Sequence, residues 1–446
     1  MGDYIVNTAR EQQQMCAAIG VEKPADLFNG LPEDVRLSGP LDLPAGKSEA
    51  EVLSLIEDMA DKNQVFRTCF RGAGAYRHYI PAIVKNVTAK DEFKTAYTPY
   101  QPEMSQGILQ SIFEYQTMIC EMTGMDVSNA SLYDGASAAA EAVMMCRDRK
   151  RKTIYVSEAV NPRMREVIMT YATAAGAKVE TVAKGKDNTT DLESLSALLA
   201  EDKEAACFLL QQPNYFGRLE EPAVAEKIVH EAGAKFIMAC DPISLAVLKS
   251  PGAYGADAAV GEGQPLGLPL GAGGPYIGFL AAKQDMMRKL PGRIVGETTD
   301  HDGNRAYVLT LQAREQHIRR EKASSNVCSN EALCALTASV YMAAMGADGM
   351  AQVANMSASA AHALRDALVE AGMEDVTGGE FFNEFVTASK VPAKEIEQAC
   401  LKEGILSGLP VGEDRMLWCA TEVNTPEEVA RVAGIVKDLM EGGAAK

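Results

Sequence analysis

Between residues 153 and 282 the chain alternates short apolar runs with amphipathic stretches. The runs at 153–157, 178–182, 206–211, 235–240, 258–261 and 276–281 have the length of strands. Between several of them, 162–175, 192–200 (with Asp191 as cap) and 223–232 predict helices. Such alternation predicts a mainly parallel α/β sheet, with ligand groups at the carboxyl ends of its strands.

Upstream, residues 1–46 scatter Pro and Gly and read as an extended arm with short helices. Ser48 and Glu51 form a capping box that opens a helix reaching about Asn63. Another helix starts near Ser105, spaces Ile108, Ile112, Tyr115, Ile119 and Met122 along one face, and ends at Gly124. Downstream, 309–322 is a dense mixture of acidic and basic residues. It reads either as a salt-bridged helix face or as a source of Arg to clamp a carboxylate. Stretches 330–346 and 350–372 predict long helices. The tail mixes strands at 384–387 and 416–420 with helices at 392–403 and 426–440. The predicted organisation is an N-terminal arm with helices over 1–65, a large α/β domain over 66–300 and an α+β domain over 301–446.

Composition narrows the function classes. The 446 residues carry a net charge of -18, which argues against nucleic acid and against anionic lipid as partners. Ten Cys occur without a C-x-x-C, and five His without metal-ligand spacing, so reduced buried thiols are expected rather than disulfides or zinc. The first six residues lack the basic and apolar regions of a secretory signal. The uncharged run 332–347 is too short to span a bilayer. A cytoplasmic location is expected.

Two motifs fail on inspection. Gly46-Lys47-Ser48 resembles the end of a phosphate-binding loop, but Leu41 stands where its first Gly belongs. Gly72 and Gly74 suggest a dinucleotide fingerprint, but Arg77 occupies its third Gly position. Two others carry chemistry. Pro99 and Pro102 stiffen a loop bearing Tyr97, Thr98, Tyr100, Gln101 and Glu103, which suits a place where substrate or partner is met. The alternative is a structural turn whose tyrosines pack on the core. Gly135, Ala136 and Ser137 open an Ala-rich helix whose backbone N–H groups could cradle a phosphate, although such starts also occur without ligands.

The organising stretch is 256–278. One strand ends in Asp241-Pro242, and the next runs into a loop dense in Gly and Pro that begins at Gln264. This layout resembles pyridoxal-phosphate enzymes of the aminotransferase-like class, fold type I. There an Asp at a strand end neutralises the pyridinium nitrogen, and a Lys at the next strand-to-loop junction forms the Schiff base. Here Gln264 holds the Lys position, and an amide cannot form an imine.

Longer runs carry a family resemblance: GAGAYRHYIPAIV at 72–84, TAYTPYQPEMSQG at 95–107, QQPNYFG at 211–217, DAAVGEGQPLGLPLGAGGP at 257–275, PGRIVGETTD at 291–300 and FFNEFV at 381–386. With these the chain resembles the alpha subunits of two-subunit glycine dehydrogenases (decarboxylating), the P-proteins of the glycine cleavage system. The resemblance implies that glycine condenses with pyridoxal phosphate, releases CO2 and passes its aminomethyl group to the lipoyl arm of the H-protein. It also implies a heterotetramer of two alpha and two beta chains, with the Schiff-base Lys on the beta subunit. It places TAYTPYQPE beside the partner's active site, where Tyr97, Tyr100, Gln101 and Glu103 would supply hydrogen bonds. Gly135, Ala136, Ser137, Asp241 and Gln264 become degenerate cofactor positions. Two other readings stay open: a partner that only stabilises the beta subunit, and an independent enzyme using Lys249, eight positions past Asp241.

Overall fold

The computed structural model describes residues 7–442 except 38, 95–97, 272 and 328. The chain divides into two units, Met1–Val65 and Phe66–Lys446. In the first, helices α1 (Ala9–Ile19) and α2 (Glu49–Ala60) each begin at a capping box, Thr8 with Glu11 and Ser48 with Glu51. In each, the hydroxyl accepts from the third helical N–H and the Glu carboxylate accepts from the cap N–H. Two otherwise orphaned donors are thereby satisfied.

The second unit opens with the two-residue strand β1 (Thr68–Cys69) and helices α3 (Ala82–Thr88) and α4 (Pro102–Thr123). Its centre is a seven-stranded sheet. The strands are β2 (Val127–Ser128), β3 (Thr153–Ser157), β4 (Lys178–Val182), β5 (Ala205–Gln212), β6 (Lys235–Cys240), β7 (Ala258–Glu262) and β8 (Gly278–Ala282), in the order β2-β8-β7-β6-β5-β3-β4. The five strands β4, β3, β5, β6 and β7 are mutually parallel, and β8 closes one side antiparallel to both β7 and β2. Helices α5 (Gly135–Cys146), α6 (Pro162–Ala174), α7 (Leu192–Glu201) and α8 (Pro222–Glu231) complete the crossovers.

The apolar runs have a direct structural cause. Phe208, Leu210, Phe236, Met238 and Phe279 point into one buried layer, while Cys207, Leu209, Ile237, Ala239 and Leu280 point into the opposite one. Successive side chains alternate faces, and in the central strands β5, β6, β7 and β8 both faces are covered, so their middle positions are apolar, whereas β4 at the edge carries Lys178 and Glu180. The register is tight enough to exclude a methyl group: a Cβ at Gly278 would lie 2.1 Å from the carbonyl oxygen of Asp134. That close approach brings the start of β8 against the turn into α5.

Beyond the sheet, the charged segment 309–322 departs from the helix-face expectation. It is the end of a two-stranded ribbon, β9 (Ile294–Thr299) with β10 (Arg305–Thr310), followed by short helical turns such as α9 (Gln316–Arg319). Pairing of Arg305 through Thr310 with β9 in a hairpin makes the start of the segment a strand, and the remainder forms only short turns instead of one continuous helix. Helix α10 (Ala332–Glu370) joins the two predicted helices and breaks at Gly346, whose φ of 62° suits glycine. It is long and apolar enough by composition to cross a membrane, yet Ala335, Ala338, Tyr341 and Ala354 pack against the sheet. A four-stranded antiparallel sheet follows, built from β11 (Glu374–Asp375), β12 (Glu384–Ala388), β14 (Leu409–Pro410) and β15 (Arg415–Cys419). It is covered by α11 (Ala393–Lys402) and α12 (Pro426–Gly442), and β13 (Ile405–Leu406) pairs with β1. Trp418, wholly buried in this layer, donates its indole N–H to Thr387 Oγ1 at 2.8 Å.

Gly278→Ala is expected to lower unfolding stability by about 1–3 kcal/mol, because the added methyl overlaps backbone that cannot give way. Urea midpoints of the two proteins measure it.

Candidate functional site

Because β6 and β7 are parallel neighbours, their carboxyl ends deliver Asp241 and Gln264 to one edge of the sheet. The amino end of β8 reaches the same edge, with Gly278 opposite Glu262. Around this edge lies a cavity of about 340 Å³, lined in part by Gly72–Tyr76, Asp134–Ala136, Asn161, Asp241, Glu262, Tyr276 and Glu384. Runs distant in sequence meet here: the glycine-rich 72–76 loop, the start of α5, the ends of β6 and β7, and the first residue of β12.

Gln264 is 1% exposed, and its amide makes no contribution to the cavity wall. Its Oε1 accepts from Tyr76 N at 2.8 Å, while Nε2 donates to Tyr76 O at 3.0 Å and Leu268 O at 2.7 Å. The side chain therefore acts as a strand-like pairing partner for Tyr76 and ties the 72–76 loop to the turn after β7. A buried amide saturated by three hydrogen bonds is a structural lock.

The start of α5 is likewise occupied by the chain itself. Asp134 caps the helix by accepting from Ser137 N at 2.7 Å. Glu262 Oε2 accepts from Gly135 N at 2.9 Å, and its Oε1 accepts from Gln264 N at 3.0 Å and Ile277 N at 3.3 Å. A Cβ at Gly135 would lie 2.6 Å from Glu262 N, so the backbones already touch. Two carboxylates thus use the N–H groups that a phosphate would need, and would repel it.

Across the cavity, Glu384 Oε1 accepts from Ala73 N at 2.6 Å and Oε2 from the Tyr76 hydroxyl at 2.7 Å. Farther along the same loop, Glu422 accepts from Tyr79 N and pairs with His78 Nδ1, each at 2.7 Å. Asp241 Oδ1 accepts from Ser244 N at 2.7 Å, whereas Oδ2 is buried without a hydrogen-bond partner. Burial raises the Asp241 carboxyl above the usual range. The Glu262 and Glu384 carboxyls are pushed up to about 7, first by burial and, after it, by Asp134 and Asp241 respectively.

The residues do not fit a tethered pyridoxal phosphate. Asp241 keeps an oxygen available for a protonated nitrogen, but the amine is replaced by a locked amide and the phosphate cradle is filled. Lys249 offers no substitute, since its ammonium lies over the Tyr254 ring, 4.5 Å from the centroid, and it is absent from the cavity lining.

The stiff loop before α4 lies apart from this cavity. Tyr97 lies outside the described residues. Thr98 is half-buried, while Tyr100, Gln101 and Glu103 are exposed. The Tyr100 hydroxyl accepts from Arg293 Nη2 at 2.9 Å, and the guanidinium sits 5.1 Å from the Tyr100 ring centroid. Arg293 is itself buried and also donates to Ser329 Oγ at 3.1 Å. One edge of Tyr100 is therefore fixed and the other faces outward, 56% exposed. Of the residues singled out in the sequence, Gly135, Ala136 and Asp241 line the cavity, whereas Gln264 lies behind its wall and Ser137 is not in the lining. The sequence expectations missed Asp134, Glu262, Glu384 and Arg293, although Glu262 stands two residues before Gln264 and Glu384 lies within FFNEFV.

Gln264→Ala is expected to cost about 1–3 kcal/mol, since Tyr76 N–H loses its acceptor in a buried place. Urea unfolding reads the loss directly. Glu384 supplies a pH signature. Its folded pKa near 7 exceeds its ordinary 4.5, so its stabilising share is fully present below 4.5 and disappears as pH rises through about 7. Glu384→Gln should flatten the decline of unfolding free energy over that window by about 1 kcal/mol per pH unit, measured by denaturant titrations at stepped pH.

Comparison with known proteins agrees with the fold and motifs. The family model for the glycine cleavage system P-protein matches residues 2–436. A Moorella thermoacetica protein named probable glycine dehydrogenase (decarboxylating) subunit 1 is 49% identical over 445 residues, covering 98% of this chain and 99% of its own. A Halalkalibacterium halodurans protein of the same name is 47% identical over 440 residues, covering 96% and 98%. The crystal structure of a glycine decarboxylase (P-protein) of the glycine cleavage system, in inhibitor-bound form, superposes with a TM-score of 0.91 at 42% identity. It covers 98% of this chain and 100% of that one. An aspartate aminotransferase from Thermus thermophilus, at 17% identity and a TM-score of 0.59 over 84% of this chain and 99% of its own, shares the fold alone. By the full-length match, the identities and the shared architecture, this chain belongs to the P-protein family of the glycine cleavage system, in the branch of glycine dehydrogenase (decarboxylating) subunit 1.

Proposed function

We propose that this chain is the cofactor-free half of a two-chain glycine decarboxylase whose beta subunit bears the Schiff-base Lys. The enzyme decarboxylates glycine and hands the aminomethyl group to the lipoyl arm of the H-protein. The observation that carries the division of labour is the Gln264 amide, buried and fully hydrogen-bonded where the fold would require an amine. The capped start of α5 supports it, since no free phosphate cradle remains. An assembly of two alpha and two beta chains in the cytoplasm is the arrangement that family membership favours.

This chain's own contribution is a wall. The loop from Thr98 to Glu103 is stiffened by Pro99 and Pro102, anchored through Tyr100 on buried Arg293, and presents Tyr100, Gln101 and Glu103 outward. A rigid polar edge of this kind orients a substrate held by the neighbouring subunit and excludes water from it. The cation beside the Tyr100 ring favours the hydroxyl as a hydrogen-bond donor toward that substrate.

Borohydride treatment in the presence of pyridoxal phosphate is expected to leave this chain unlabelled when it is alone. In the complex, the label should fall on the beta subunit. A pyridoxyl adduct on this chain would overturn the division. Tyr100→Phe and Glu103→Gln should each assemble normally while lowering glycine–CO2 exchange by about tenfold or more. Unchanged exchange in both would reduce the chain to a scaffold for its partner.

A further inference from the structure

We propose that the cavity between Asp241 and Glu384 is a binding site in its own right, for a small phosphate-free organic cation whose protonated nitrogen donates to Asp241 Oδ2.

Charge sets the sign of the ligand. Asp134, Asp241, Glu262 and Glu384 line the cavity, and among the described lining residues the one basic side chain is Arg163. Its guanidinium is 84% exposed and paired with Glu166 at 2.9 Å, so it does not neutralise the interior. Hydrogen bonds then pick out the oxygen that receives the ligand. Both oxygens of Glu262 and both of Glu384 already accept from backbone N–H groups or the Tyr76 hydroxyl, and Asp134 caps α5. Among the described lining residues, Asp241 Oδ2 is the buried acceptor left without a hydrogen-bond partner. A buried acceptor in that state is costly, and a charged N–H donor relieves the cost more than a neutral one.

The remaining features set the chemical class. No group of three His, Cys, Asp or Glu among the described residues could hold a metal ion, which favours a nitrogen cation. Met164, Pro213 and Tyr276 give the cavity an apolar side for a ring or short chain, and a volume of about 340 Å³ suits a molecule of that size. Phosphate-bearing ligands are excluded because the N–H groups of Gly135 and Ser137 are taken and the neighbouring carboxylates repel an anion. The fold's cofactor pocket has, in this chain, exchanged its selectivity from an anion-bearing aldehyde to a cation.

Isothermal titration of the full-length chain with benzylamine, benzyl alcohol and benzyl phosphate tests this, because the three share a ring and differ in charge. One benzylamine site is expected, with benzyl alcohol about tenfold weaker or worse and no benzyl phosphate binding. Asp241→Asn should weaken benzylamine about tenfold, while the Asn side chain still accepts from Ser244 N. Ala136→Leu leaves every carboxylate in place and narrows the cavity, so it should also lose benzylamine. It stands as the independent check if Asp241→Asn folds poorly. Absence of benzylamine binding, equal affinity for the alcohol, or wild-type affinity in a folded Asp241→Asn or in Ala136→Leu would overturn the assignment.

Discussion

One buried amide holds the active edge of this chain together. Gln264 pairs with both backbone polar groups of Tyr76 and with the Leu268 carbonyl, so the 72–76 loop cannot leave the carboxyl end of β7 without orphaning three groups. From Tyr76 the constraint passes to Glu384 through the phenol, and from Ala73 to the same carboxylate through the backbone. The α/β sheet and the antiparallel sheet are thereby joined across the cavity by side chains whose hydrogen-bonding capacity is used up.

The absence of an ammonium at position 264 has an electrostatic consequence. In this fold a Lys there would stand among Asp241, Glu262 and Glu384 and offset their charge. With a neutral amide in its place the carboxylates lie buried, and burial raises their pKa values, while His78 draws that of Asp241 partway down. The cation preference proposed for the cavity rests on those buried carboxylates. The Tyr100 loop sits apart from the cavity, braced by Arg293 beneath it.

Much of the fold was legible in the sequence because strand-length runs alternate there with capped helical stretches, the order a parallel sheet with crossover helices requires. The strands from Thr153 to Cys240 and the helices between them fall where those runs and caps predict. The ribbon of β9 and β10 was not legible: its strands owe their conformation to each other, and the local charge pattern of 309–322 suggested a helix. Within the site, Asp241 and Gln264 were identifiable from their strand ends together with the resemblance to the pyridoxal-phosphate layout. Glu262 and Glu384 were not, since a Glu in an apolar run declares a buried role only when its acceptors' partners are known.

The sequence by itself determined the layered α/β architecture, the family and the presence of an amide at position 264, because each is a property of residue type and short-range order. Tertiary structure decided what that amide holds. Only folding brings Tyr76, 188 residues away, onto the Gln264 amide, and only folding leaves one oxygen of Asp241 unpaired beside an apolar wall. Hydrogen-bond satisfaction depends on which groups meet, and distances along the chain carry no record of that.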